Sequence, residues 1–233
     1  MTVAAPAPDP VISIIVPALN EAGVIEQTLA PLGPWREAGD EVLVVDGGSR
    51  DATVAMAAPL ADRVLSAPRG RARQMNAGAN AARGRLLLFV HADTSLDPAC
   101  RAALVHACDG EGAAWGRFDV RLSGADRAFR VIEAMINLRS RISGIATGDQ
   151  AMFVDAGLFC GVGGFPEIPL MEDVALSRLL RDHRRPAALR VRVVTSSRRW
   201  EQRGIVRTVM TMWLLRGAYA VGVSPQRLAR WYR

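Results

Sequence analysis

The chain has 233 residues, half of them apolar, so it can bury one sizeable core, and we expect a single large α/β domain. All of its basic residues are arginine, which excludes reactions that need a lysine, such as Schiff-base chemistry or a P-loop. Residues 178–233 carry 14 arginines against Asp182 and Glu201, a net charge of +12 that suits an anionic ligand, anionic lipid or nucleic acid without choosing among them.

The amino terminus and the cysteines both indicate a cytoplasmic protein. Residues 1–10, "MTVAAPAPDP", lack a basic start followed by an apolar run, so they predict a short disordered arm and not a secretory signal. Cys100, Cys108 and Cys160 are odd in number and lack CxxC spacing. We therefore expect reduced thiols, with neither disulfides nor a structural zinc site.

In the first half of the chain, short apolar runs alternate with longer helical patterns, which is typical of an α/β fold. Asn20 is the expected N-cap of the first helix, with Glu21 in its first turn, and Met75 and Ala79 are expected on the inward side of the third helix. The continuous apolar run before His91 predicts a strand covered on both faces. The predicted strands are 11–18, 41–46, 62–68 and 85–93, and the predicted helices are 21–29, 51–58 and 69–82.

The pattern changes in the second half, where helices dominate. In the helix predicted at 172–182, Leu176, Leu179 and Leu180 are expected to form the buried stripe. No run of about 20 apolar residues is long enough to span a bilayer. We divide the chain into the arm, a domain over 11–203 and basic apolar helices over 204–233. The predicted elements are a helix at 97–107, an antiparallel strand at 114–122, a helix at 126–141, a strand at 150–154, a helix at 172–182 and a helix pair within 204–232.

Polar residues terminate several of the predicted strands. In an open parallel sheet, ligands bind beyond the carboxyl ends of the strands, so these residues are candidates for a binding site. Two of them, Asp46 and Asp93, are carboxylates at neighbouring strand ends, which need a cation or hydrogen-bond donors if they are buried. The alternative is that each aspartate caps the following helix. The strand-end residues are Pro17, Asn20, Asp46, Ser66, His91 and Asp93.

Four segments together resemble the glycosyltransferase family 2 enzymes of the GT-A fold over about residues 11–202. In chain order they are "VPALNEAGVIEQTL", "VVDGGSRDAT", "RGRARQMNAGANAARGRLLLFVHAD" and "MEDVALSRLL". A further run, "GDQAMFV…GGFPEIPLMEDVALSRLLR", resembles a bacterial subgroup associated in part with arsenosugar biosynthesis. The resemblance implies a Rossmann-like, mostly parallel central sheet with helices on both faces. It also implies transfer of a sugar, with inversion, from a nucleotide-diphosphate donor, UDP-type favoured, to a hydroxyl acceptor.

The resemblance also implies a set of donor-binding residues. Asp46 matches the family aspartate that accepts a hydrogen bond from the base. Among the arginines of the third helix, Arg73 is the preferred contact to the nucleotide, whereas Arg69 and Arg71 could equally belong to a solvated helix face. The nucleotide-binding residues implied are Pro17, Ala18, Asn20, Glu21, Asp46, Gly47, Arg73, Asn76, His91, Ala92 and Asp93.

The "HAD" segment stands where the family has its DxD motif, whose last aspartate coordinates Mg²⁺ or Mn²⁺ bridging the diphosphate. Asp93 is therefore the implied metal ligand, since these ions favour carboxylate, water and phosphate oxygens. His91 replaces the first aspartate of the motif. It is either a hydrogen-bond partner of the ribose or a structural histidine.

The implied catalytic residue is Asp173, which matches the family's base for the acceptor hydroxyl. Glu172 is either its partner or only a favourable charge at a helix start. The remaining implied contacts to the donor sugar or the acceptor come from the segments "TGDQ" and "TSSRRW". The second segment is similar to a QxxRW motif with Ser196 in place of the glutamine. These contacts are Gly148, Asp149, Gln150, Arg199 and Trp200.

Three alternatives remain open from the sequence. The lost first aspartate and the basic tail also suit a catalytically silent nucleotide-sugar binder or a lipid-surface protein. A sugar nucleotidylyltransferase is disfavoured because the first loop, "PALNEAG", is not a glycine-rich phosphate loop and lysine is absent.

We expect no nucleic-acid partner. The helices of 204–233 are expected to dock on the core or on a second subunit as a homodimer, or else to contact the inner face of the membrane peripherally.

Overall fold

The computed structural model describes residues 11–232, and the arm predicted for 1–10 lies outside the described residues. Eight strands form one sheet in the order β3-β2-β1-β4-β7-β6-β8-β5. The strands are β1 (Ile12–Ala18), β2 (Glu41–Asp46), β3 (Arg63–Ser66), β4 (Leu86–Phe89), β5 (Thr94–Ser95), β6 (Trp115–Leu122), β7 (Met152–Asp155) and β8 (Ala187–Thr195).

Eleven α-helices surround the sheet within this part of the chain. Short 3₁₀ turns follow α1 and precede β7, and a π-helical turn at His106–Gly110 continues α5. The helices are α1 (Ile25–Leu29), α2 (Gly33–Glu37), α3 (Thr53–Ala57), α4 (Arg71–Ala81), α5 (Ala99–Val105), α6 (Arg127–Ser143), α7 (Ala156–Gly161), α8 (Glu172–His183), α9 (Arg198–Arg203), α10 (Ile205–Ala220) and α11 (Pro225–Tyr232).

The sheet is parallel in its first half and mixed in its second. Strands β3, β2, β1 and β4 run parallel, which places their carboxyl ends at one edge. Strand β7 is antiparallel to both β4 and β6, while β8 runs parallel to β6 and antiparallel to the short β5. The predicted antiparallel strand at 114–122 is thus confirmed as β6. Strand β8 was absent from the predicted elements.

Alternating residues of the parallel strands are buried against two different layers of helices. In β2, Val42 and Val44 belong to one apolar cluster, and Leu43 and Val45 belong to the other. Helices α1, α2, α3 and α5 cover the first face, and α4, α7 and α8 cover the second. Burial on both faces explains the continuous apolar runs, and it confirms the prediction of helices on both sides of the sheet.

Two local predictions were wrong. Asn20 does not cap the first helix, because α1 begins at Ile25 and Asn20 lies in a loop with a φ of 56°. Leu179 is 39% exposed, whereas Leu176 and Leu180 are buried. Leu176 and Leu180 pack in the core on one side of α8, whereas Val174 packs against the carboxyl-terminal helices. Helix α8 therefore buries two of its sides, and the predicted leucine stripe accounts for only one of them.

All three cysteines are free thiols, as expected. Among residues 11–232, no helix has both the length and the apolar content needed to cross a bilayer.

Candidate functional site

The loops that follow β1 and β2 are joined by hydrogen bonds into one structure at the carboxyl edge of the sheet. The backbone N–H of Asn20 donates to Ser49 Oγ at 2.9 Å, and Asn20 Oδ1 accepts from the N–H of Arg50 at 2.8 Å. The N–H of Glu21 donates to Thr53 Oγ1 at 2.8 Å. Asn20 therefore fixes the loop that presents Glu21 to the site. Its left-handed backbone is one that asparagine tolerates better than most residues.

The segment "HAD" leaves the end of β4 and is anchored by the strand that the sequence did not predict. Thr94 pairs with Thr195 across β5 and β8, and the N–H of Ser196 donates to the carbonyl of Asp93 at 3.1 Å. This pairing brings the basic segment after β8, with Arg198 and Arg199, beside Asp93. The end of β4 thus holds an acidic group next to two arginines.

A cavity of about 550 Å³ opens above these strand ends. Its walls come from the loops after β1 and β4, the start of α4, the loop before α8, and the segment from the end of β8 to α9. The lining residues that matter below are Pro17, Ala18, Glu21, Arg71, Gln74, His91, Ala92, Asp93, Asp149, Glu172, Arg198, Arg199, Trp200, Arg203 and Tyr232.

Three carboxylates crowd one side of the cavity. Burial and then the negative charge of Asp149 raise the pKa of Asp93 above its ordinary value. Burial and then the charge of Asp93 likewise raise the pKa of Glu21. Burial is the larger cause of both shifts, and the repulsion between neighbouring carboxylates, which a bound cation would relieve, adds to it. Arg198, which lies 3.7 Å from Glu21 Oε2, compensates only part of it.

The chemistry of this side fits a hard divalent cation. No three His, Cys, Asp or Glu side chains within residues 11–232 converge into a ready-made metal cage. Mg²⁺ and Mn²⁺ do not require one, because they are commonly held by one or two carboxylates together with substrate phosphates. Asp93, under repulsion from Asp149, supplies such a carboxylate at the cavity wall.

His91 lies against the turn at Gly148–Gln150. Its Nδ1 is 3.6 Å from Asp149 Oδ1, and a side chain at Gly148 would collide with its Nε2. Burial, followed by the positive charges of Arg71 and Arg199, lowers the pKa of His91 well below its ordinary value. The imidazole is therefore neutral at neutral pH, and it can both donate and accept a hydrogen bond.

Asp173 begins α8 beside Glu172, and its carboxylate is firmly held. Oδ2 accepts from the N–H of Gly148 at 3.0 Å, and Oδ1 accepts from the N–H of Val174 at 2.7 Å. Burial and the neighbouring charge of Glu172 raise the pKa of Asp173 to about 6. A carboxylate with a raised pKa is better matched to accepting a proton near neutral pH. Gly148 and Asp173 also line a small recess next to the cavity, together with Arg71 and His91.

Glu172 is buried and pairs with Arg71 across the cavity wall. Arg71 Nη1 lies 3.1 Å from Glu172 Oε1, and the arginine side chain is itself 44% exposed to the cavity. Arg71 therefore connects the helix that carries Asp173 to the open site. Of the two readings of Arg71 left open by the sequence, the structure supports the one that places it in the site.

Arg73 and Asn76, two of the predicted nucleotide contacts, are not among the residues that line the cavity. Arg73 points to solvent, where its Nε lies 3.1 Å from Glu167. Asn76 donates to the carbonyl of Phe165 at 2.8 Å and accepts from the N–H of the same residue at 2.9 Å. Both residues hold the segment before α8 against α4. Arg73 follows Arg71 by two residues, a rotation of about 200° around the helix axis, so it points away from the cavity side of α4, where Arg71 and Gln74 lie.

Asp46 and Gly47 lie behind the cavity wall. The Asp46 carboxylate accepts from the N–H of Gly48 at 3.0 Å and of Ser49 at 3.1 Å, so it stabilises its own turn. Gly47 packs against Gln74, whose amide donates to the carbonyls of Ala18 and Val45, both at 2.8 Å. Gln74 was not predicted, although its position next to Arg73 in the third motif is a usable signal.

The segment after β8 supplies the remaining wall. Arg199 donates a hydrogen bond to the Tyr232 hydroxyl, and its guanidinium lies 5.5 Å from the centre of that ring. Trp200 packs on a small apolar cluster that includes Phe129 and Ile132, and it also reaches the cavity. Sequence reasoning missed Arg198 and Tyr232. Tyr232 lies 33 residues beyond Arg199, so no local pattern connects them.

Comparison with known proteins identifies the family. The sequence profile of glycosyl transferase family 2 matches residues 13–163, which is well over half of the chain. This chain is 38% identical over 109 residues to a PGL/p-HBAD biosynthesis glycosyltransferase from Mycobacterium bovis. It has the same identity to the counterpart of that protein in Mycobacterium tuberculosis. The match covers 44% of this chain and 43% of theirs, so the aligned part spans less than half the length of these relatives.

Solved structures share the fold. S. aureus TarS 1-349 in complex with UDP-GlcNAc has a TM-score of 0.65 at 20% identity, with 79% of this chain and 58% of that chain covered. Mannosyltransferase PcManGT from Pyrobaculum calidifontis, in complex with GDP-Man and Mn²⁺, has a TM-score of 0.59 at 23% identity over 81% and 57% of the two chains.

A third structure is glucosyl-3-phosphoglycerate synthase from Mycobacterium tuberculosis with Mn²⁺, UDP and glucosyl-3-phosphoglycerate, at a TM-score of 0.58 and 23% identity over 78% and 70% of the two chains. These likenesses confirm the predicted GT-A architecture. The profile match and the curated relatives favour a glycosyltransferase over the nucleotidylyltransferase alternative. The chain belongs to glycosyl transferase family 2.

Proposed function

We propose that this protein is an inverting, metal-dependent glycosyltransferase that moves a sugar from a nucleotide-diphosphate donor to a hydroxyl acceptor. The observation that carries the proposal is that carboxylates and arginines line one cavity together. Glu21, Asp93 and Asp149 lie there with Arg71, Arg198 and Arg199, and Asp173 lies in the adjoining recess. A donor diphosphate would pair with the arginines, and a divalent cation would pair with the carboxylates.

The donor is held at its two ends. Pro17, Ala18 and Glu21 line the part of the cavity next to β1 and form the nucleoside side, with Asp46 shaping the loop behind them. Arg71, Arg198 and Arg199 face the diphosphate, whose charge grows as it leaves. We propose a UDP-type donor, because the complexes of TarS and of glucosyl-3-phosphoglycerate synthase with the same fold contain UDP or a UDP-sugar.

Mg²⁺ or Mn²⁺ would be held by Asp93 together with the donor phosphates. When bound, such an ion neutralises charge on the leaving diphosphate. Neutral His91 takes the place of a second acidic residue. It lowers the negative charge of the site by one, and it offers a hydrogen bond to the ribose.

The transfer step needs a base for the acceptor hydroxyl, and we assign that role to Asp173. Its carboxylate accepts the proton as the acceptor oxygen forms a bond to the anomeric carbon. The bond from that carbon to the diphosphate oxygen breaks on the opposite side, and the diphosphate keeps the electron pair. Displacement from the opposite face inverts the anomeric centre. Glu172, paired with Arg71, orients the helix start and keeps the pKa of Asp173 raised.

The turn at Gly148–Gln150 is the proposed contact to the donor sugar or acceptor. Asp149 faces the cavity beside His91, and Gly148 fixes Asp173 through its N–H. Trp200 and Arg199 complete the opposite wall. The cytoplasmic location remains a prediction.

The metal assignment is tested by measuring nucleotide binding to Asp93→Ala by thermal shift, with UDP or GDP, with Mn²⁺ or with EDTA. A nucleotide at about 100 times its Kd should stabilise the wild type by roughly 2.7 kcal/mol. For a chain of this size that corresponds to a Tm rise of roughly 5–10 °C. Asp93→Ala should lose the part of this rise that depends on Mn²⁺ and keep its Tm without ligand.

Asp182→Ala, which removes an exposed carboxylate of α8 outside the cavity wall, is the matched control and should behave as wild type. Equal binding of UDP by the wild type in EDTA and in Mn²⁺ would contradict the metal assignment. Binding of UDP-sugars without any release of UDP, with or without acceptors, would instead identify a catalytically silent nucleotide-sugar binder.

A further inference from the structure

Helix α10 turns its most apolar side away from the protein. Only Thr208 and Leu215 of this 16-residue helix are buried. Val206, Met210 and Trp213 are 75%, 66% and 65% exposed. A helix that merely covers a core has the opposite arrangement, with polar residues outward. We call the set Val206, Met210, Trp213, Leu214 and Val221 the outward apolar face.

The outward apolar face is continuous and bordered by arginine on both sides. At 100° per residue, its five members lie within an arc of about 100°. Arg207 lies just beyond one edge of that arc, and Arg216 lies beyond the other. Because Arg207 and Arg216 lie on opposite sides of the helix, they do not form a single polar side. Instead, they border the apolar face on both sides.

A neighbouring helix repeats the anomaly. Helix α6 packs against the start of α10 through Phe129 and Ile132, which share a cluster with Ile205 and Val209. On the side of α6 away from this contact lie Val131, Met135, Leu138 and Ile142, all of them exposed. Each of these two packed helices therefore has a side with several exposed apolar residues, and exposed apolar patches of this kind mark interaction sites.

The charge around this surface selects its partner. Residues 178–233, which include α10 and α11, carry a net charge of +12. Helix α11 adds exposed Arg227 and Arg230 next to exposed Trp231. A symmetric dimer would bring the same arginines of two copies together. An anionic lipid surface instead offers an apolar interior to the exposed side chains and negative headgroups to the arginines bordering them.

We propose that the outward apolar face of α10 inserts into the interfacial layer of an anionic lipid bilayer, with Arg207 and Arg216 on the headgroups. The helix lies in the plane of the membrane surface and does not cross it. The proposal is independent of the proposed function, because none of these residues belongs to the set assigned to donor binding or catalysis.

The test is co-sedimentation of the full chain with vesicles of phosphatidylglycerol and phosphatidylcholine, compared with vesicles of phosphatidylcholine alone. The wild type should sediment with the anionic vesicles, and less so as salt is added. The double variant Met210→Ser with Trp213→Ser should lower the partition coefficient by about tenfold for each side chain removed from the lipid. Both residues are exposed, so its Tm should stay within a few degrees of wild type.

The matched control is the double variant Val54→Ser with Leu179→Ser, which removes two exposed apolar residues outside these helices and should bind vesicles as wild type does. Arg207→Gln with Arg216→Gln should weaken binding to the anionic vesicles by roughly tenfold or more, and leave the weak binding to phosphatidylcholine unchanged.

Two results would overturn the proposal. One is sedimentation of the Met210→Ser, Trp213→Ser variant at the wild-type level. The other is a wild type that sediments with neither kind of vesicle but is a dimer in sedimentation velocity, while the same variant is a monomer. The surface would then be a subunit interface.

Discussion

Asp173 illustrates how the backbone N–H groups of two other residues can position a single carboxylate. Its two oxygens each accept one N–H, from Gly148 and from Val174, which fixes the carboxylate and leaves further lone pairs for a substrate hydroxyl. Those bonds lower its pKa, yet burial and Glu172 outweigh them. The site therefore keeps the group charged near neutrality while making it a competent proton acceptor.

Asp173→Asn should lower kcat and spare the donor. The amide keeps the size of the side chain but cannot accept the acceptor's proton, and general-base catalysis is typically worth about 10² to 10⁴ in rate. We expect a loss of kcat in that range, with unchanged Kd for the donor and unchanged dependence on Mn²⁺. Steady-state transfer kinetics and thermal shift on the same preparation measure both quantities.

Glu172→Gln is the paired comparison, because Glu172 is adjacent in sequence and buried but is assigned no proton transfer. It should cost less in kcat than Asp173→Asn. A larger loss for Glu172→Gln, or a loss of donor binding in Asp173→Asn, would mean that the two roles are assigned wrongly.

The raised pKa of Asp173 predicts an acid limb in the rate profile. Only the deprotonated carboxylate accepts a proton, so kcat should rise with pH through about 6 and then level off. Glu172→Gln removes the negative charge that raises this pKa and leaves Arg71 unpaired beside it, so the limb should move to lower pH. The measurement is kcat at saturating donor and acceptor over about pH 5 to 8. A limb that stays in place in this variant would exclude Asp173 as the titrating group.

At the scale of elements, the approach of α4 to the sheet depends on Gly78. A Cβ at Gly78 would collide with Ile15 Cγ2 and lie 3.0 Å from Val45 Cγ2, so the helix lies almost directly on β1 and β2. Gly78→Ala should therefore destabilise by about 1–3 kcal/mol, as overpacking in cores does. Since α4 carries Arg71 and Gln74, the same change should also weaken donor binding.

Gly217→Ala is the control for Gly78→Ala, because Gly217 lies in α10 with nothing within 4 Å of its missing side chain. Both changes gain the same helix propensity, so Gly217→Ala should stabilise by about 0.5–1 kcal/mol. Chemical denaturation of the two variants compares them directly. Equal effects of the same sign would show that α4 can move away from the sheet.

The elements that sequence patterns predicted are those whose burial is simple. Strands β1, β2 and β4 are buried on both faces and appear as unbroken apolar runs. Strand β8, "AALRVRVVT", alternates Val with Arg190 and Arg192, and it pairs with β6 from more than 60 residues away. Its pattern of period two is a usable signal, since Arg190 and Arg192 are exposed while Val193 is buried.

The site was predicted in part, for a comparable reason. His91 and Asp93, which follow the end of β4, line the cavity, whereas Asp46 at the end of β2 does not, so the position at a strand end is only part of the signal. On α4, Arg71 lines the cavity and Arg73 does not, since the phase of a helix relative to a cavity depends on packing by residues such as Gly78 and Met75. Tyr232 reaches the site through the tertiary position of α11, which no local pattern encodes.

For the whole molecule, the carboxyl-terminal helices pack on the start of α8, which carries the proposed catalytic residue. Leu215 of α10 and Leu228 of α11 are buried in one cluster with Met171 and Val174, the residues that flank Glu172 and Asp173. The boundary near residue 203 stays a prediction, and helices α10 and α11 beyond it share buried contacts with the predicted domain. Removing 204–233 would expose Met171 and Val174, and we expect the truncated chain to aggregate.

Leu228→Ala tests this coupling without truncation. Leu228 is fully buried, and Leu to Ala changes in cores typically cost 2–5 kcal/mol. For a domain of this size we expect the Tm of the whole chain to fall by roughly 5–20 °C in a single transition. Calorimetry measures it, and Ala229→Ser, a change beside it at a half-buried position, is the control. If α10 and α11 were an independent unit, Leu228→Ala would produce a separate early transition and leave the main one in place. In that case Asp173 would not depend on these helices, and kcat at low temperature would be the same in the variant and the wild type.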